Sequence, residues 1–273
     1  MMPSQTTTRL GRRFRDLSAQ HAKGLVIYLT AGDPTLDATG ELLLALDRAG
    51  ADVIELGVPF SDPLADGPVI QRASERALRS GTTLRKILEH FPRWRDAVRA
   101  PMILFSYYNP ILQYGLQRFA ITAAQAGVDG ALIVDLSPEE AETYVCAVRA
   151  QNLDTIFLAS PTSPDQRLER AAKLSTGFFY LISRTGVTGE RQEIAASVAP
   201  LVKRARRFTT LPLAVGFGIS TAAQVREVQA QADAAVVGSA VVHIIEQRFS
   251  QEGPAAVEQF VRGLKAGAKG GPV

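Results

Sequence analysis

Three carboxylates lie close together in VIELGVPFSDPLADGP, positions 53–68, where an apolar run gives way to a loop of prolines and glycines. Alternation along VIEL puts Glu55 on the same face as Val53, in an interior with little water. A carboxylate there is costly to ionise, so its pKa rises toward the range useful for general acid and base work. The competing reading is a buried glutamate paired with an arginine or tyrosine for structure. Asp66 follows in SDPLADGP, where prolines and a glycine stiffen the backbone and a second carboxylate could meet a substrate from the opposite side. An ordinary turn aspartate before glycine is the alternative there. Asp62, in SDP, reads as a turn cap and is the weaker candidate of the two loop aspartates.

A second kind of chemistry is suggested by three glycine-bearing segments, SRTGVTG (183–189), GFGIST (216–221) and VVGSA (236–240). Glycines let backbone N–H groups approach an anion, and helices opening after GFGIST and GSA would aim their positive ends at it, as in a phosphate site. Tight turns for helix–strand packing are the competing explanation. Aromatic residues that could surround a flat apolar group are Tyr28, Phe60, Phe105, Tyr107, Tyr108, Phe178 and Phe217, although any of them could equally be core. The lysines, at 23, 86, 173, 203, 265 and 269, fall outside the strand ends, which leaves a Schiff-base aldolase without its nucleophile. The histidines at 21, 90 and 243 lie in helix candidates far apart, so no spacing suggests a metal site.

Elements able to position these groups recur along the chain. Eight apolar runs read as strands: GLVIYLT (24–30), DVIEL (52–56), PMILFS (101–106), GALIVDL (130–136), DTIFLA (154–159), GFFYLIS (177–183), LPLAVG (211–216) and AAVVGS (234–239). Each precedes a stretch with apolar residues at helical spacing, such as LDATGELLLALDRAG, and this predicts an α/β fold, a (β/α)8 TIM barrel. AGADVIELG, AGVDGALIVDL and QADAAVVGS echo one another, each passing from a helix end through an aspartate into a strand. A doubly wound sheet is the alternative, but no G-x-G-x-x-G follows the first strand. RLGRRFRDLSAQH predicts an extra N-terminal helix capping the barrel floor. The expected organisation is one domain over 1–273, frayed at 1–8 and 267–273.

In such a barrel the reacting groups stand at the C-terminal ends of the strands. That filter selects Tyr28 and Asp33, Glu55, Asp62 and Asp66, Tyr107 and Asn109, Asp135, Arg184 and Thr188, then Gly218, Gly238 and Ser239. Composition narrows the classes further. The 273 residues are 46% hydrophobic and 21% charged, ordinary for a globular protein rather than a disordered one. A net charge of +3, with arginines scattered on helix faces and dense only at RRF (12–14) and KRARRF (203–208), argues against nucleic-acid binding. No apolar run is long enough to span a bilayer, and no secretory signal is visible. The single cysteine, Cys146, cannot form an internal disulfide, and the expected location is cytoplasmic.

ELGVPFSDPLADGP resembles the signature of the tryptophan synthase alpha chain family, and YLTAGDP, YYNPILQYG, SRTGVTG, GFGIS and GSAVV follow in that family's order from about 10 to 265. The resemblance implies a (β/α)8 barrel that cleaves indole-3-glycerol phosphate to indole and glyceraldehyde 3-phosphate. It implies that Glu55 is the acid/base serving indole C3 and the side-chain hydroxyl, and that Asp66 holds the indole N–H. By the same match Gly189, Gly218, Gly238 and Ser239 bind phosphate, while Tyr28, Ile70, Phe105, Tyr107 and Phe217 surround the indole. Thr188 would steady the aspartate from a lid that includes Arg184 and Gly186. No cofactor is implied in this chain; pyridoxal phosphate belongs to a partner beta chain in an alpha2beta2 heterotetramer. Ile27, Val134 and Ser137 stand where the family usually has proline, the latter two in the loop that faces the partner. Alternatives are a stand-alone lyase releasing free indole, a non-catalytic activating subunit, or a sugar-phosphate isomerase on the same scaffold.

Overall fold

The runs of β-branched and aliphatic residues form strands buried on both faces, as a parallel sheet wrapped by helices requires. The computed structural model describes residues 8–182, 194–216 and 218–269. Along the chain lie α1 (Arg9–Ala19), β1 (Gly24–Thr30), α2 (Leu36–Ala49), β2 (Val53–Gly57), α3 (Pro68–Arg79), α4 (Leu84–Ala97) and β3 (Met102–Ser106). There follow α5 (Tyr108–Tyr114), α6 (Leu116–Ala126), β4 (Gly130–Ile133), α7 (Glu142–Arg149), β5 (Asp154–Ile156), β6 (Leu158–Ala159), α8 (Asp165–Leu174) and β7 (Phe179–Ile182). Last come α9 (Ile194–Ala205), β8 (Leu213–Gly216), α10 (Ala222–Gln229), β9 (Ala234–Val237), α11 (Ser239–Glu252) and α12 (Pro254–Lys269). Threonine starts several helices: Thr8, Thr35, Thr83 and Thr221 each accept an N–H of the first turn through the side chain.

The strands pair in the order β5-β4-β3-β2-β1-β9-β8-β7-β6, every pair parallel, and make a nearly closed TIM barrel. The eight expected strands are thus nine, because the fifth run breaks at Phe157. Its first part pairs with β4 and its second with β7, and between them the Phe157 carbonyl accepts the Tyr180 N–H at 3.2 Å. The fourth run also stops early, at Ile133, so Val134 and Asp135 belong to the turn that follows. There the Asp135 carboxylate accepts the Tyr108 N–H at 2.7 Å and so fixes the start of α5.

Alternation divides the apolar residues into two cores. The outer one lies between strands and helices, with Leu25, Ile27, Ile54, Leu104 and Val215 facing Leu42, Phe91 and Val261. The inner one fills the barrel with Val26, Val53, Ile103, Leu132, Ile156, Phe178 and Tyr180, and α1 closes its floor by inserting Leu10, Phe14 and Leu17. Charge holds this plug in place: Arg9 pairs with Asp129 and Arg13 with Asp52.

The sequence echo becomes a repeated fastening. Asp52, Asp129 and Asp233, each one residue before a strand, accept the N–H of Leu25, Met102 and Leu213 at the start of the preceding neighbour, at 2.6, 2.7 and 2.8 Å. Each is also matched by cations: Arg13 and Lys265 on Asp52, Arg9 and Arg95 on Asp129, Arg206 and Lys23 on Asp233. Thr8 is engaged as the α1 cap, and α12 continues to Lys269, past the point where fraying was expected. His21 lies in the turn after α1 rather than in the helix.

Candidate active site

At the opposite, C-terminal end of the strands, Glu55 and Asp66 have no such cations among the described residues, whereas Asp33 pairs with Arg76. Glu55, on β2 between Tyr28 of β1 and Ile103 of β3, is 1% exposed. Its Oε1 has no hydrogen-bond partner among the described residues. Burial alone pushes its pKa up to about 8, so near neutrality the group is a protonated acid. No salt bridge to Glu55 is found among the described residues, and the titrating groups that feel its charge are tyrosines. The Glu55 charge contributes to raising both Tyr28 and Tyr180, after burial as the main cause.

Asp66 is carried by the loop between β2 and α3 and is only partly buried. Burial raises its pKa to about 6, while a hydrogen bond from Tyr107 opposes that rise. The Tyr107 hydroxyl makes two contacts with this loop, donating to Asp66 Oδ2 at 3.1 Å and accepting the Ala65 N–H at 2.9 Å. Gln71 adds a bond to the Asp66 carbonyl at 2.8 Å. Prolines stiffen the loop, and a tyrosine from β3's end pins it. Asp62 is exposed; its carboxylate accepts only the adjacent Ser61 hydroxyl, at 2.5 Å, among the described residues, and its carbonyl accepts the Leu64 N–H at 2.9 Å, so it shapes the loop. Leu64 between the two aspartates is 94% exposed.

Between the carboxylates lies an apolar patch in which Tyr28, Ala73 and Val242 are buried and Val69, Ile70 and Phe105 pack against them. Tyr28 and Phe105 meet edge to face at 5.2 Å, and Phe60 lies against Tyr107 at 5.0 Å. Two aromatics named from sequence do not belong here: Phe178 sits at the floor beside Phe14, and Tyr108 packs into the outer core. Tyr180 was missed, although alternation through Phe178 and Tyr180 would have pointed it inward. Gly57 and Gly216 are small because tyrosines cross them; a Cβ on either would lie 2.2 Å from the hydroxyl of Tyr28 or Tyr180.

On the other side of the mouth, α11 opens at Gly238 and Ser239 with no side-chain cap among the described residues; the Val241 N–H is bonded to the Gly238 carbonyl at 2.8 Å, which leaves those of Ser239 and Ala240 for an anion. Gly218 lies nearby in sequence after β8, exposed and with φ +75°, a conformation that favours glycine. α10 starts differently, with a capping box between Thr221 and Gln224. The Ser220 and Thr221 N–H groups already donate to Gln224 Oε1 at 2.9 and 3.1 Å, and the Gln224 N–H donates to Thr221. Arg184, Gly186, Thr188, Gly189 and Phe217 lie outside the described residues. Among the described residues no three His, Cys, Asp or Glu side chains are gathered to hold a metal ion, and no helix is long and apolar enough to cross a membrane.

A sequence model described as "Tryptophan synthase alpha chain" matches residues 14–269. The chain belongs to the tryptophan synthase alpha chain family. The tryptophan synthase alpha chain of Solibacter usitatus is 56% identical over 95% of this chain and 98% of its own length. That of Geotalea uraniireducens is 51% identical over 96% and 98%. Among solved structures, tryptophan synthase subunit alpha from Legionella pneumophila superposes with a TM-score of 0.88 at 36% identity, covering 96% of this chain and 98% of that one. A tryptophan synthase chain from M. tuberculosis gives 0.87 at 34% identity over 97% and 100%. Tryptophan synthase alpha chains are lyases that cleave indole-3-glycerol phosphate in tryptophan biosynthesis, and that is the activity of this chain.

Proposed function

We propose that Glu55 and Asp66 divide the acid–base work of this cleavage. Protonated Glu55 delivers its proton to indole C3, and Asp66 accepts the hydrogen bond of the ring N–H as positive charge develops there. Ionised Glu55 then takes the proton of the side-chain hydroxyl. The bond from C3 to the glycerol carbon breaks, its electron pair restores the indole ring, and the carbon left behind becomes the aldehyde of glyceraldehyde 3-phosphate. Glu55 ends protonated, as it began. The observation that carries this reading is the buried Glu55 carboxyl on β2, whose Oε1 has no partner among the described residues, with Asp66 on the loop that follows the strand.

Tyr28, Ile70, Phe105 and Tyr107 form the indole side of the site, and the N-terminus of α11, with Gly218, Gly238 and Ser239, the phosphate side. The whole works as one barrel domain in the cytoplasm. A beta chain is the partner, in an alpha2beta2 assembly, and pyridoxal phosphate is that partner's cofactor rather than this chain's. The test is indole release from indole-3-glycerol phosphate, with and without a beta chain. Turnover that is slow alone and many-fold faster with the partner is expected; strong unaided turnover overturns the coupled assembly. Glu55→Gln is expected to stop indole formation in both settings, and unchanged release would overturn the role of Glu55.

A further inference from the structure

The two ends of the site sit on different helices, since Asp66 leads directly into α3 and Ser239 begins α11. Near the mouth these helices meet through Ile70, Ala73 and Val242. One turn further along the same face of α3 stands Arg76, and one turn along α11 stands Glu246. Arg76 donates to both oxygens of Asp33, from Nε at 2.7 Å and Nη2 at 2.8 Å, and from Nη1 to Glu246 at 2.8 Å. Asp33, 1% exposed, lies in the loop after β1. Arg72 also donates to both oxygens of Glu246, from Nε at 2.7 Å and Nη2 at 2.8 Å. The fork geometry of a guanidinium fixes direction as well as distance, which an ammonium does not.

We propose that Arg76 is a positioning residue that sets the separation between the indole end and the phosphate end of the site, by tying α3 to α11 and both to the loop after β1. This rests on the assignment of Asp66 to indole and of the α11 N-terminus to phosphate. A ligand that spans both ends reads the spacing, whereas a ligand that occupies one end does not. Small errors in such spacing are amplified in turnover, because reacting groups must be aligned before chemistry.

The test uses the full chain with its beta chain and two variants, Arg76→Lys, which keeps the charge and loses the fork, and Glu246→Ala, which leaves the Asp33 pair intact. Folding of each is checked by near-UV circular dichroism. For the folded variants, kcat/KM for indole-3-glycerol phosphate is expected to fall on the order of tenfold to a hundredfold. Binding of indolepropanol phosphate, which spans both ends, weakens in parallel, while binding of glycerol 3-phosphate alone is unchanged. Should Arg76→Lys fail to fold, Glu246→Ala carries the same readings. Equal loss for both ligands, or loss for neither, overturns the proposal. Absence of indole release from the unaltered complex would instead remove the functional reading on which it rests.

Discussion

Glu55 and Asp66 differ in environment more than in chemistry, and that difference orders their protonation. With Glu55 at about 8 and Asp66 at about 6, the pair is one proton short of neutral between those values, which is the form that the proposed acid–base roles require. kcat/KM for indole-3-glycerol phosphate is therefore expected to rise through about pH 6 and fall through about pH 8, and a profile flat across that range contradicts the assignment. Tyr107→Phe removes the hydroxyl that lowers the Asp66 pKa, so the acidic limb moves to higher pH. It also removes a hydrogen bond to a charged group, a loss of about 1.5–3 kcal/mol, so kcat/KM falls on the order of tenfold or more. Glu55 imposes a cost on folding as well. Its folded pKa lies above its unfolded value of 4.5, so the folded state alone keeps the proton between about 4.5 and 8 and stability falls as pH rises across that window. Glu55→Gln abolishes this dependence. Its stability advantage in urea unfolding is expected to grow by roughly a few kcal/mol from about pH 5 to about pH 9.

The helix α11 shows how one element can be served by opposite demands. Its uncapped start suits a phosphate, and an aspartate there would favour the helix while repelling the ligand. Ser239→Asp is expected to leave urea stability equal or about 0.3–1 kcal/mol higher, and to raise KM for the phosphorylated substrate with kcat little changed. A lower KM would contradict the anion site. Elements of this type were the legible part of the sequence, because β1 and α2 announce themselves by burial pattern and a threonine cap. The break at Phe157 was not legible, since DTIFLA is apolar from Ile156 on and the division depends on which neighbour each half pairs with. Glu55 could be read from alternation in a short strand. The Tyr107 bond to Asp66 could not, because it joins residues 41 positions apart whose approach exists only in the closed barrel.

Across the whole molecule the barrel has two unlike ends, a floor where Asp52, Asp129 and Asp233 are matched by cations and a mouth where Glu55 and Asp66 have no salt bridge among the described residues. Stability and reactivity are thereby separated along the barrel axis. Phe14→Ala at the floor empties space beside Phe178 and is expected to cost about 3–5 kcal/mol in urea unfolding. Its kcat at a temperature where it stays folded is expected to match that of the unaltered chain; a large drop in kcat would show the ends are not separable. The split of the fifth strand has a mechanical side. Everywhere else around the ring adjacent strands are laced directly to each other, but β5 and β6 are successive pieces of one chain and share only the peptide link through Phe157. At this joint side chains take over from the ladder, since the Thr155 N–H donates to Thr176 Oγ1 at 2.9 Å and the Phe157 N–H to Ser175 Oγ at 3.2 Å. Amide exchange at Phe157 to Ala159 is expected to outpace that of β1 and β2, which would make thermal breathing of the mouth a hinge motion about one seam rather than a uniform loosening.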